Sequence, residues 1–268
     1  MSELEKLCKE SLKVIKSVGA FIHREVGKVE EEAIEQKNLN SLVSYVDREA
    51  EKRLVDELGR LLPHSTFLTE EDTVQNEDSD QQWIIDPLDG TTNFLHQLPC
   101  FSVSVALQRS GKTVLGIVYE VNRQEAFYAW KDGSAFLNGK PISVSKTPKL
   151  SGALLATGFP YHDFTWVDPY FQILRKFIYQ SRGIRRFGSA AVDLAYTACG
   201  RFDAFFEYSL NPWDVAGGAF LVQEAGGQVS DFQGGGDYLF GGEIIAGNPL
   251  LFAEVQEIVE AAFYPEKQ

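Results

Sequence analysis

From Phe101 to Val144 the chain alternates apolar and polar residues and turns often, at Arg109-Ser110-Gly111-Lys112, Lys131-Asp132-Gly133 and Asn138-Gly139. Alternation places side chains on two opposite faces, and glycine-bearing turns at such short intervals connect antiparallel neighbours. The stretch predicts an antiparallel meander, whose apolar face needs covering elements. The flanking sequence supplies them. Leu4, Leu7, Cys8, Leu12, Ile15, Ile22 and Val26 recur at helical spacing and predict an amphipathic helix with one buried stripe. A second helix starts near Ser44, carries Ala50, Leu54, Leu58 and Leu61, and stops at Pro63.

Beyond the meander, Ala153 to Thr157 is a short apolar run. Helical patterns follow near Pro169 to Tyr179, Ser189 to Cys199 and Val215 to Ala225, with strands at Asp203 to Phe206 and Glu243 to Ala246. A last amphipathic helix covers Leu250 to Phe263. Two helices, then antiparallel strands, then mixed helices and strands predict layered sheets and helices. No hydrophilic linker divides the 268 residues. The chain reads as one unit with subdomains of about 1–150 and 151–268.

Two apolar runs end in acids: Ser65 to Leu68 leads to Glu70 and Glu71, and Trp83-Ile84-Ile85 leads to Asp86. Both read as strands that deliver carboxylates at their C-terminal ends. The densest signal is Asp86-Pro87-Leu88-Asp89-Gly90-Thr91-Thr92-Asn93-Phe94. A strand ending at Asp86, with a turn fixed by Pro87, lets two carboxylates face one point. Gly90 permits close backbone approach, and Thr91 and Thr92 fit the start of a short helix, where free amides favour an anion. Hard oxygen ligands with room for water suit Mg²⁺. A solvated turn is the alternative for the bare Asp-Pro-Leu-Asp-Gly; the buried approach through Trp83-Ile84-Ile85 weighs against it.

Acids outnumber bases 38 to 25, a net charge of −13. That charge argues against nucleic-acid and anionic-membrane partners. It leaves a small anionic substrate open, because divalent cations invert the local field. Cys8, Cys100 and Cys199 are few, odd in number and far apart, and read as buried apolar groups in a reducing compartment. Glu3, Glu5, Lys6, Lys9 and Glu10 break any leader-like run, and no window reaches transmembrane length. A cytoplasmic protein is expected.

Trp83 to His96 resembles the first signature of the inositol monophosphatase family, and Trp213-Asp214 followed by Glu224-Ala225-Gly226-Gly227 resembles the second. Glu70-Glu71 after a strand, and Asp47 after Leu42-Val43-Ser44, sit where that family places them. The resemblance implies an αβαβα sandwich of sugar-phosphatase type with a large antiparallel sheet. It implies two or three Mg²⁺ held by Glu70, Asp86, Asp89, Asp214 and the Leu88 carbonyl, with lithium inhibition. Gly90 and Thr91 amides would bind phosphate; Asp47 and Thr91 would orient and deprotonate the attacking water, with Glu70 counted in the catalytic set. Gly188, Ser189, Ala190 and Glu207 would line the pocket for the alcohol portion of a small phosphorylated polyol, and a homodimer is the family expectation. Thr69, Ser41, Ser44 and Ser189 depart from the commonest family form without removing a ligand. Lys37 is the nearest candidate for a family lysine upstream of Asp47.

Each site residue has a plainer reading. Ser44-x-x-Asp47 is close to a capping box. Glu70 and Glu71 could be a solvated pair, Asp214 an N-cap and Glu207 an exposed strand-end charge. Within the family, fructose 1,6-bisphosphate, 3′-phosphoadenosine 5′-phosphate and histidinol phosphate are alternative substrates. A regulatory scaffold that binds RNA or the transcription machinery, as described for some bacterial members, is the non-enzymatic alternative.

Overall fold

Serines start the first two helices. In the computed structural model, which describes residues 1–38, 41–74, 79–160 and 163–265, Ser2 Oγ accepts the Glu5 amide at 3.1 Å at the head of α1 (Glu3–Glu25). Its buried stripe includes Leu7, Cys8, Ile15, Val18 and Ile22. After the β1–β2 hairpin (Glu35–Asn38, Ser41–Val43), Ser44 caps α2 (Tyr45–Leu61), which buries Ala50, Leu54 and Leu58. The Lys37 and Ser41 side chains lie outside the described residues.

The meander is present as expected. β5 (Ser102–Arg109), β6 (Lys112–Glu120), β7 (Glu125–Trp130), β8 (Ala135–Leu137) and β9 (Lys140–Ile142) pair antiparallel in sequence order. Ser110 and Gly111 (φ 49° and 74°) turn β5 into β6, and Asn138 and Gly139 (φ 48° and 84°) turn β8 into β9. Both centres are left-handed, as type I′ two-residue hairpins require. β3 (Thr66–Thr69) and β4 (Gln81–Asp89) complete a seven-stranded sheet, antiparallel except for the parallel β3–β4 pair.

A five-stranded sheet follows, in the order β11-β10-β12-β14-β13. It comprises β10 (Leu154–Thr157), β11 (Gly183–Arg185), β12 (Ala204–Tyr208), β13 (Gln228–Ser230) and β14 (Glu243–Gly247). Its helices are α4 (Val167–Gln180), α5 (Ala190–Ala198), α6 (Pro212–Glu224) and α7 (Phe252–Phe263), with short α3 (Thr91–Leu95) after β4.

α1 and α2 cover one face of the seven-stranded sheet, α5 and α6 lie between the two sheets, and α4 and α7 cover the outer face of the second. This is the expected α–β–α–β–α stack, with one large apolar core under α1 and α2, one around α5 and α6 between the sheets, and one under α4 and α7. Backbone contact seats α6: a Cβ on Gly217 would meet Ser104 Oγ at 3.0 Å and the Val105 carbonyl at 3.2 Å, and one on Gly218 would meet Leu194 Cβ at 2.5 Å. Among the described residues no helix is long and apolar enough to cross a membrane. The cysteines depart from expectation. Cys8 is buried, its thiol pushed up to about 12 by desolvation, but Cys100 and Cys199 are half-buried.

A carboxylate-lined candidate active site

The carboxylates converge because β4 does not stop at Asp86. It runs on to Asp89, so the expected strand end at Asp86, with a turn at Pro87, is corrected to a bulge. Asp86 pairs with Ser104 and Asp89 with Ser102, so three steps on β4 match two on β5. Residues three apart in a regular strand face opposite sides; the extra residue returns Asp89 to the side of Asp86. Pro87, with no amide to donate, is tolerated at such a break. Asp86 Oδ1 accepts the Leu88 amide at 2.9 Å, which fixes the bulge from within.

Gly90 then takes φ 97° and caps α3. A Cβ there would sit 3.0 Å from the Cys100 carbonyl and 3.2 Å from that of Gly188. Asn93 holds the same two loops together, its Nδ2 donating to the Cys100 carbonyl at 2.8 Å and the Phe187 carbonyl at 2.7 Å.

Thr91 Oγ1 lies 2.9 Å from Asp47 Oδ1 and 3.0 Å from the Leu88 carbonyl. One hydroxyl hydrogen serves one acceptor well, and the carboxylate is the stronger. Asp47 Oδ2 accepts the Ser44 amide at 2.9 Å and the Ser44 hydroxyl at 2.7 Å. The capping box and the Thr91 pair therefore coexist, one on each oxygen. Asp47 is fully buried, and burial raises its carboxyl above the ordinary range against the pull of these bonds.

α6 begins earlier than the sequence pattern indicates. Pro212 opens it, Asn211 is the N-cap, and Asp214 stands in the first turn rather than before the helix. Its Oδ2 accepts the Asn211 amide at 2.7 Å. Ser189 caps α5, and its hydroxyl lies 2.6 Å from Asp89 Oδ2, which also accepts the Ala191 amide at 2.8 Å. Glu207 is not an exposed strand end. It lies inside β12, opposite Ile244, and only 6% of its surface is exposed. Strand alternation turns Phe206 and Tyr208 toward α4 and α7 and leaves Glu207 on the pocket side.

Glu70, Asp86, Leu88, Asp89, Gly90, Thr91, Gly188, Ser189, Ala190, Glu207 and Asp214 line one pocket. Asp47 does not line it and reaches it through Thr91. Five further liners, Gly158, Arg186, Ser209, Leu210 and Asn211, carry no expectation from the sequence. Arg186 stands two residues before Gly188. Gly158 gives room to Glu207, because a Cβ there would sit 1.8 Å from Oε1.

The carboxylates feel one another. Burial raises Asp86 well above the ordinary range, and the charges of Glu70, Asp89 and Asp214 raise it further. Asp214 is raised by burial, then by Asp89 and Glu70. Asp89 rises to about 6 through burial, held back by Ser189, the Ala191 and Ala190 amides and Arg186. Glu207 is raised by burial and Asp214, and Arg186 opposes this. Among the described residues no three acidic, His or Cys side chains close into a ready-made metal cage. Instead, hard oxygen donors line an open pocket and repel one another. That donor set fits a cation that keeps several waters and takes substrate oxygens, as Mg²⁺ does.

A five-layer α/β fold with an acidic pocket at the starts of α3, α5 and α6 defines the class. Residues 3–262 match the inositol monophosphatase family, and the chain belongs to it, a family generally dependent on metals. It is 46% identical to the Nus factor SuhB of Escherichia coli K12 over 217 residues, 81% of each chain. The crystal structure of extragenic suppressor protein suhB from Bartonella henselae superposes with a TM-score of 0.90 at 38% identity, covering 97% of this chain and 99% of that one. The IMPase of Thermotoga maritima gives a TM-score of 0.86 at 35% identity, covering 94% and 96%.

Proposed function

We propose that the protein hydrolyses a phosphate monoester in the presence of Mg²⁺, with myo-inositol monophosphate as substrate. The observation that carries this reading is the gathering of Glu70, Asp86, Asp89 and Asp214 around one pocket that also holds Thr91 and Glu207. In this reading Glu70, Asp86, Asp89, Asp214 and the Leu88 carbonyl hold two or three Mg²⁺. Bound there, the cations supply positive charge that acidifies the attacking water and neutralises the phosphoryl oxygens.

The chain's own groups do the rest. The Gly90 and Thr91 amides, at the head of α3, hold the phosphate. Thr91 gives its hydrogen to Asp47 and turns an oxygen lone pair to the water. The Asp47–Thr91 pair thereby orients that water and takes up its proton, Asp47 acting from behind the pocket. The water oxygen attacks phosphorus in line, the ester P–O bond breaks, and the departing alkoxide takes a proton from solvent water in the open pocket, while Asp47 later returns its proton to solvent. The products are inorganic phosphate and a free alcohol. Glu207 accepts hydrogen bonds from the alcohol's hydroxyls, with Gly188, Ser189 and Ala190 shaping the same wall. A homodimer accompanies this reading.

The E. coli relative's name as a Nus factor favours a second reading, a regulatory scaffold that does no chemistry. Phosphate release tests both. The expected result is release from inositol 1-phosphate with Mg²⁺, loss in EDTA and inhibition by Li⁺. Fructose 1,6-bisphosphate, 3′-phosphoadenosine 5′-phosphate and histidinol phosphate form the comparison panel. No release from any member favours the scaffold.

A further inference from the structure

Glu51 is a fully buried carboxylate with no cationic partner among the described residues. Burying such a group is costly unless hydrogen bonds compensate. Three do, and all come from one segment. Glu51 Oε2 accepts the Glu71 amide at 2.8 Å; Oε1 accepts the Thr73 amide at 2.9 Å and the Thr73 hydroxyl at 2.6 Å. The segment turns sharply between those donors, where Asp72 takes φ 50°. It begins one residue after Glu70, at the end of β3.

Glu51 lies four positions after Asp47, on the same face of α2. That face thus fixes two walls of the pocket. Asp47 holds Thr91 on one side, and Glu51 holds the chain that carries Glu70 on the other. Glu70 stands within Coulomb range of Asp86 and Asp214, and like charges repel. Donors locked to a buried helix resist that repulsion.

We propose that Glu51 is a positioning residue that presents Glu70 to the divalent cation. The inference rests on the reading of Glu70 as a cation ligand. Glu51→Gln keeps shape but turns an NH₂ group toward donors and breaks part of the clamp. Its dissociation constant for Mn²⁺, read from the EPR signal of the free ion with the full chain, is expected to rise about 10-fold or more, as outer-shell substitutions do. Turnover returns at saturating Mg²⁺. A loop anchor with no bearing on the pocket would lower the melting temperature in EDTA and leave the Mn²⁺ affinity of the folded protein unchanged; that result overturns the proposal. Thr73→Val removes one donor and decides the matter if Glu51→Gln does not fold. It is expected to weaken Mn²⁺ binding about threefold, in line with one lost hydrogen bond, and an unchanged affinity overturns the proposal. Glu70→Gln separates the two levels. If it leaves Mn²⁺ binding intact, the ligand reading fails and takes the proposal with it. If it weakens binding while Glu51→Gln and Thr73→Val do not, only the role of Glu51 fails.

Discussion

The Thr91 hydroxyl reaches across 44 positions of sequence to Asp47, 2.9 Å away, and that carboxylate is sealed from solvent. If the pair orients the attacking water, Thr91→Ala lowers kcat by about 10²–10⁴-fold, the range of general acid–base catalysis. Thr91→Ser keeps the hydroxyl and loses much less. Steady-state rates at saturating Mg²⁺ check this. Equal losses in the two variants assign Thr91 to packing through its methyl group.

Asp86 feels the charges of Glu70, Asp89 and Asp214 together, so in the proposed reading it would be a cation ligand whose charge matters most. Asp86→Asn removes the charge and keeps the shape. Turnover and Mg²⁺ affinity fall while the folded state persists, as read by activity against Mg²⁺ concentration and by circular dichroism. Near-normal activity at low Mg²⁺ would show that the ligand set is misassigned.

Glu207 and Gly158 form one unit, because the carboxylate occupies the space a Cβ at 158 would fill. Glu207→Ala is expected to lower kcat/KM for inositol 1-phosphate about 10- to 100-fold, about 1.5–3 kcal/mol for a charged hydrogen bond. Gly158→Ala, which displaces the same carboxylate, acts in the same direction. A small aryl phosphate without the polyol ring loses far less in both variants. Parallel losses for the two substrates would place Glu207 in support of the metals or the fold.

Asp86, Asp89 and Asp214 hold protons more tightly folded than unfolded, Asp89 up to about 6. Unfolded Asp titrates near about 4. The native state therefore binds more protons between these limits. Stability from these groups is fully present below the unfolded value and is lost as pH rises through the folded ones. In EDTA the melting temperature falls as pH rises from about 4 through about 6, where Asp89 ionises, and Asp86 and Asp214 carry the fall further in the same direction; Mg²⁺ flattens the decline, and Asp86→Asn raises the value at the upper end. A melting temperature that holds or rises across that window in EDTA contradicts the account.

The layers were legible because periodicity is a direct signature of burial. The stripe of α1 and the alternation of β5 to β9 each declare which side faces a core. The bulge in β4 was not. Proline reads as an ending, and only pairing to Ser104 and Ser102 reveals an extra residue. Glu207 was easy to place near the pocket and hard to place inside a strand, since a glutamate's ordinary fate is exposure. For Asp47 the choice between cap and pocket partner dissolved, because a carboxylate has two oxygens. The start of α6 was missed although Asn211 and Pro212 announce it, since the apolar pattern begins only at Val215. Arg186 and Gly158 left no signal, because each matters through groups that only folding brings near.

Most of the acids in the pocket, and Asp47 behind it, also hold the backbone in shape. Asp47 and Asp214 accept the amides that begin α2 and α6, Asp86 ties the bulge, and Asp89 secures the head of α5. A descendant that abandoned chemistry for some other employment would still be selected to keep them. Glu207 accepts no hydrogen bond from the described chain, and the charge of Arg186 opposes, without cancelling, the desolvation of its carboxylate. In such a lineage Glu207 would be the first of these acids to drift, and its survival in a relative marks a pocket still under selection for what enters it.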